Sequence, residues 1–147
     1  MAIVLLWTLL CFLTGKRKKI RILFLSLNCV LVFISVYGIL YYTVLGRIPS
    51  GEHRFVLFNS YSNEFYREMF MNGLLYFPLG LSLAVLIGNR SILAAFALSF
   101  GIEAWQYFAG TGLAQGTDVL CNTLGCVIGA IPAWVYWKWK NAKQKER

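Results

Sequence analysis

Apolar residues dominate this chain in long runs, and the polar positions fall either between those runs or at helical spacing inside them. A helix needs about 20 residues to cross a hydrocarbon core. Four runs approach or exceed that length, at roughly residues 20–45, 71–87, 91–109 and 118–137. A fifth, residues 2–13, is apolar but short, and reads as a tilted or thinly seated first helix. It lacks the form of a cleaved signal, because its positive cluster follows the apolar stretch instead of preceding it. Pro78 lies inside the run 71–87, where it removes a backbone donor and predicts a kink. Ahead of that run, Tyr61, Phe65, Tyr66, Met69 and Phe70 recur near helical spacing, with Asn63 as the N-cap. Residues 63–70 therefore read as an interfacial helix lying along the membrane surface; the alternative is that they extend the following span outward.

Composition turns these runs into a class. Hydrophobic residues make up 59% of the 147 positions, more than a soluble domain of that size can bury. The pattern predicts an all-α polytopic transmembrane bundle of four or five spans. One domain covers residues 1–147, with a basic tail over 138–147.

A net charge of +8 invites a nucleic-acid reading, but the placement of the charge excludes it. Five basic residues lie in KRKKIR at 16–21 and five more lie within 138–147, all flanking hydrophobic runs. There they fix orientation and meet lipid headgroups. With both clusters and Arg90 in the cytoplasm, only Arg47, Arg54 and Arg67 fall outside, balanced by Glu52, Glu64 and Glu68. The C-terminus is then cytoplasmic, and the loops 46–70 and 110–117 face out. Tyr41 and Tyr42 mark the outer interface, and Trp134, Tyr136, Trp137 and Trp139 mark the inner one.

The four cysteines, Cys11, Cys29, Cys121 and Cys126, sit inside apolar runs without a CxxC pair or a nearby histidine. They read as small packing residues, and no metal or cofactor is expected. His53, in the outer loop between Glu52 and Arg54, has no second ligand or nucleophile nearby in sequence and reads as a loop residue. Gly125 and Gly129 form a GxxxG, which lets two helix backbones approach and permits a homo-oligomer.

The positions that call for chemistry are polar and lie inside the last two runs. Ser99, Glu103 and Gln106 stand at i, i+4 and i+7 and share one helix face. Asp118 and Asn122 stand at i, i+4 on the next helix. Asn72, with Arg67 and Glu68 before it, opens the run 71–87. The topology puts all of them in the outer half of the bilayer, where they can converge on an outward-facing polar pocket. Two readings stand side by side. In one, these groups join helices by hydrogen bonds worth on the order of 1 kcal/mol each, and Asp118 caps its helix. In the other, Glu103 and Asp118 are a candidate catalytic pair, with Arg67, Asn72, Ser99, Gln106 and Asn122 binding substrate. The second reading expects Glu103→Gln to insert normally and lose activity. Helix joining does not require a carboxylate, and a charge held in lipid is costly unless it is paired or faces water. No GxSxG, HExxH or phosphate-binding glycine loop is present.

Three blocks in order, REMFMNGLLYFPLG at 67–80, SFGIEAWQYF at 99–108 and TDVLCNTLGCVIG at 117–129, resemble the VanZ-like family of bacterial membrane proteins. The resemblance covers about half of the chain; the first 60 residues share only hydrophobicity and an outer loop. The matching positions are Arg67, Asn72, Pro78, Glu103, Gln106, Asp118 and Asn122. One departure is that many members carry an acid three residues before the Asp-Val block, where this chain has Gln115.

The resemblance implies a multi-pass protein of the bacterial cytoplasmic membrane that lowers susceptibility to teicoplanin, and to vancomycin less. Its partners would be membrane lipids and a lipoglycopeptide or lipid-linked cell-wall precursor, with no nucleic acid. Three mechanisms fit: a module that binds such a ligand, an intramembrane enzyme using Glu103 and Asp118 as acid and base, and a transport or assembly subunit.

Overall fold

The computed structural model describes residues 18–51, 53–58 and 62–145. The expected short span at 2–13, together with Cys11, Glu52 and Tyr61, lies outside the described residues. Four helices follow one another: α1 at Lys18–Leu40, α2 at Asn63–Ile87, α3 at Arg90–Ala109 and α4 at Gly116–Lys145. A π-helical turn, Tyr41–Leu45, extends α1. All four helices are long and apolar enough to cross a membrane. Their exposure pattern is what a lipid solvent demands. Phe33, Leu93 and Phe108 are 78%, 70% and 78% exposed, whereas the polar Tyr76, Ser82 and Ser99 are fully buried. Polar side chains within the helices return to their own backbone. Asn28, Ser35, Thr43 and Thr123 each donate to the carbonyl four residues earlier, at 2.6–2.8 Å.

The frame of the bundle is a parallel contact between α2 and α4, and glycine makes it possible. A Cβ at Gly125 would collide with the Gly73 carbonyl, one at Gly129 with the Phe77 carbonyl, and one at Gly80 with the Cys126 carbonyl. Backbone therefore packs directly on backbone. Both glycines of the GxxxG motif are occupied by α2 of the same chain. Below this contact, Phe24, Leu81, Ala84, Ala130 and Ala133 form one apolar cluster. Ile39, Tyr76, Leu79, Ala95, Ile102 and Cys126 form a second. Cys121 and Cys126 are buried, and Cys29 is exposed; all three are free thiols.

The segment at 63–70 differs from the surface helix read from its spacing. It is the first two turns of α2, continuous with the span, so the outward extension holds. Phe65 turns inward and is 6% exposed, while Tyr66 and Phe70 stay exposed, so the segment packs one ring into the bundle as the span does. The N-cap is Ser62, not Asn63: Ser62 is extended (φ −123°, ψ 163°), and its Oγ accepts from the Phe65 N–H at 3.2 Å. The helix continues through Pro78, and Ser82 Oγ donates to the Pro78 carbonyl at 2.7 Å.

The segment between α1 and α2 also contains structure that the hydrophobic pattern did not announce. Strand β1, Phe55–Val56, pairs in parallel with β2, Ala114–Gln115, placing Phe55 opposite Ala114 and Val56 opposite Gln115. The Ala114 N–H donates to the Arg54 carbonyl and the Thr117 N–H to the Leu57 carbonyl, both at 3.2 Å. Gly110 ends α3 with φ 59°, in the left-handed region that glycine tolerates. Its carbonyl accepts from the Ser50 and Gly51 N–H groups at 2.7 and 3.0 Å. His53 closes the same helix end, with Nδ1 donating to the Tyr107 carbonyl at 2.7 Å. The loop after α1 is thus sewn onto the end of α3 and the start of α4.

Candidate functional site

Four pieces of chain meet at this end of the bundle. They are the residues following α1, the opening turns of α2, strand β2 and the first turn of α4. Between them is a polar pocket of about 490 Å³, lined by Arg47, Arg67, Glu68, Asn72, Gln115 and Asp118, with Met71 at its edge. The helix starts explain why these side chains converge. α2 and α4 run in parallel, so both present N-terminal turns here, and the backbone contact at Gly73 and Gly125 lies just below. Asn72 and Asp118 are each within a few residues of that contact. Asn72 and Asp118 line the same pocket from the two helices. Asp118 is in the first turn of α4, where the helix dipole favours a negative charge.

Arg47 and Glu68 are the charged neighbours of Asp118. The Arg47 guanidinium lies against Gly112, in a position that a Cβ there would occupy. Among the described residues, no ion pair within 4.0 Å joins Arg47 or Arg67 to Glu68 or Asp118. Two cations and two anions therefore face one cavity while remaining available to a ligand.

Glu103 is next to this pocket without lining it. It is 5% exposed, and its Oε2 accepts the backbone N–H of Gln115 at 2.7 Å. Glu103 lies instead at the floor of an apolar cavity of about 510 Å³, with Phe100, Phe108, Leu120 and Leu57 around it. The two carboxylates interact electrostatically; Glu103 holds the Gln115 N–H, while Asp118 and Gln115 line the polar pocket. The Gln115 backbone thus ties β2 to α3.

Deeper in the bundle, Asn122 Nδ2 donates to Ser99 Oγ at 2.8 Å, joining α4 to α3. Gln106 Nε2 donates to the Thr43 carbonyl at 2.9 Å, joining α3 to the π-helical turn after α1. Ser99, Glu103 and Gln106 share the inward face expected from their spacing, at 0%, 5% and 1% exposure. The Tyr76 hydroxyl, Asn122 Oδ1 and Thr117 Oγ1 are buried without a protein hydrogen-bond partner, so polar capacity continues inward from the pocket.

Of the seven candidate residues, the structure brings Arg67, Asn72 and Asp118 into one pocket. It places Glu103 against β2, and it uses Ser99, Gln106 and Asn122 to connect helices. Sequence reasoning counted Arg47 and Glu68 only as loop and flanking charges. The available signal for Arg47 was its position one residue after Gly46, at the same membrane level as Asp118. The sequence pattern of the VanZ/LLP1 family matches residues 1–137, so it takes in the first 60 residues as well as the three blocks. No curated protein and no solved structure matches the chain.

Proposed function

The chain belongs to the VanZ/LLP1 family, and on that premise we propose that it lowers the susceptibility of a bacterium to teicoplanin-type lipoglycopeptides. It does so by holding a lipid-anchored ligand, either the antibiotic or a cell-wall precursor, in the polar pocket. The observation that carries this reading is the pocket itself, with both charge signs at one end of the four described helices. The basic clusters flank the opposite helix ends, so the positive-inside rule puts the pocket on the outer face and the C-terminus in the cytoplasm. A reporter that works only in the cytoplasm, fused after residue 147, is expected to be active. Activity only when it is exported reverses the orientation and removes the pocket from the outer leaflet.

The geometry favours binding over paired acid–base catalysis. Asp118 lines the polar pocket, whereas Glu103 lines an apolar one and is engaged by the Gln115 N–H of β2. Glu103 is then a positioning residue that holds Gln115 through its N–H, and Asp118 is the carboxylate that meets the ligand. Expression of the intact chain in a sensitive Gram-positive host tests the function. Teicoplanin susceptibility is expected to fall, and vancomycin susceptibility to fall less. Unchanged susceptibility to both, with the protein demonstrably in the membrane, removes the proposal.

A further inference from the structure

A second feature adjoins the polar pocket on the lipid side. An apolar groove of about 400 Å³ runs between α2 and α4, bordered by Met69, Phe70, Leu74, Phe77, Leu124 and Ile128. Its floor is Gly73 and Gly125, which bring the two backbones together and leave no side chain to fill the groove. The groove lies beside the pocket: Met69 and Phe70 border the groove at the level where Arg67, Glu68 and Asn72 line the pocket, and Asp118 lines the pocket one turn before Cys121 in the groove. From Cys121 to Ile128 the rise along α4 is about 10 Å at 1.5 Å per residue, and from Asp118 about 15 Å, close to half of a hydrocarbon core of about 30 Å. Pocket and groove together therefore span about the depth of one leaflet.

We infer that pocket and groove together form one site for a zwitterionic phospholipid, with its phosphate on Arg47 and Arg67, its ammonium on Glu68 and Asp118, and one acyl chain in the α2–α4 groove. The inference rests on the polar pocket being the functional site proposed above, and it adds a membrane phospholipid to the lipid-anchored ligands that this pocket would hold. The charge count selects this class. Two guanidinium groups and two carboxylates line the cavity, and none is paired with another among the described residues. A purely anionic headgroup would satisfy the arginines and leave two acids facing a phosphate. An uncharged headgroup would leave all four charges uncompensated near lipid, which is costly. Arginine matches phosphate through its planar fork of donors, and carboxylates accept from an ammonium in the same strong, charge-assisted way.

The test uses the full chain in nanodiscs of zwitterionic phosphatidylcholine, whose quaternary ammonium has no N–H to donate. The probe is a trace of phosphatidylethanolamine carrying a photoreactive acyl chain. Crosslinks are expected at the residues bordering the α2–α4 groove, identified by mass spectrometry. Unlabelled phosphatidylethanolamine is expected to compete roughly tenfold better than phosphatidylglycerol, the scale of one charge-assisted hydrogen bond. Asp118→Asn is expected to remove that preference. Leu124→Trp, a substitution at a lipid-exposed position that fills the groove, is expected to cut crosslinking at unchanged thermal stability. Equal competition by the two lipids, or crosslinking that survives Leu124→Trp, means ordinary annular lipid and overturns the inference. A dimer that buries Leu124 also overturns it. Because the readout is lipid competition on purified protein, it can fail while antibiotic protection stands, and the reverse also holds.

Discussion

Gly125→Leu is expected to destabilise the folded bundle by about 3 kcal/mol or more, the upper range for forcing extra volume into a packed interior. A side chain at this position meets the Gly73 carbonyl, which is backbone and cannot rotate away. The only relief is to push α2 and α4 apart along their whole contact, which forfeits dispersion at Gly129 and Gly80 as well. The same separation pulls Asn72 away from Asp118 and opens the pocket at its base. The expected result is a lower thermal midpoint in detergent and loss of monodisperse protein. Gly101→Leu is the matched control, because a Cβ at Gly101 meets nothing within 4 Å. It is expected to leave stability unchanged or slightly raised, since leucine is the better helix former. A Gly125→Leu protein as stable as the Gly101→Leu protein would mean that α2 and α4 do not pack backbone to backbone.

The second large effect separates the two carboxylates. Asp118→Asn keeps the size and hydrogen-bonding capacity of the side chain but removes a charge that faces the pocket. It is expected to fold normally and to lose antibiotic protection, with ligand affinity falling about 10- to 100-fold, the range for a hydrogen bond to a charged group. Glu103→Gln retains an acceptor for the Gln115 N–H, so β2 stays in place and protection is expected to be largely kept. Glu103→Ala removes the acceptor and leaves a buried N–H unpaired beside a new void. It is expected to cost about 2–4 kcal/mol and to lose protection through the fold. Glu103→Gln therefore separates the two readings of Glu103: a catalytic partner of Asp118 loses protection, whereas a support for β2 keeps it.

The surroundings of Glu103 show what the sequence carries and what it hides. Helical period is a local property, so the inward face of Ser99, Glu103 and Gln106 is legible from spacing, as are the four long spans. The level of Arg67, Asn72 and Asp118 in the membrane is legible too, because topology sets it. Their assembly into one pocket depends on how closely α2 and α4 approach. The GxxxG at Gly125 signals a close contact but does not name Gly73 and Phe77 as its partners. The pairing of Phe55 with Ala114 escapes notice because two-residue strands are too short to show alternation. Missing that pairing meant missing the N–H that holds Glu103. The same loop conceals Arg47, which is far from Asp118 in sequence and reaches it only once the loop is fixed to Gly110. Residues 63–70 were misjudged for a related reason: an amphipathic stripe looks the same whether lipid or a protein interior covers its apolar side.

The most direct test of the central claim is teicoplanin susceptibility in a sensitive Gram-positive host producing the intact chain, Asp118→Asn or Glu103→Gln at matched membrane levels. The outer polar pocket as the seat of function predicts protection by the intact chain and by Glu103→Gln, and none by Asp118→Asn. Protection that survives in Asp118→Asn, at equal levels and stability, contradicts it.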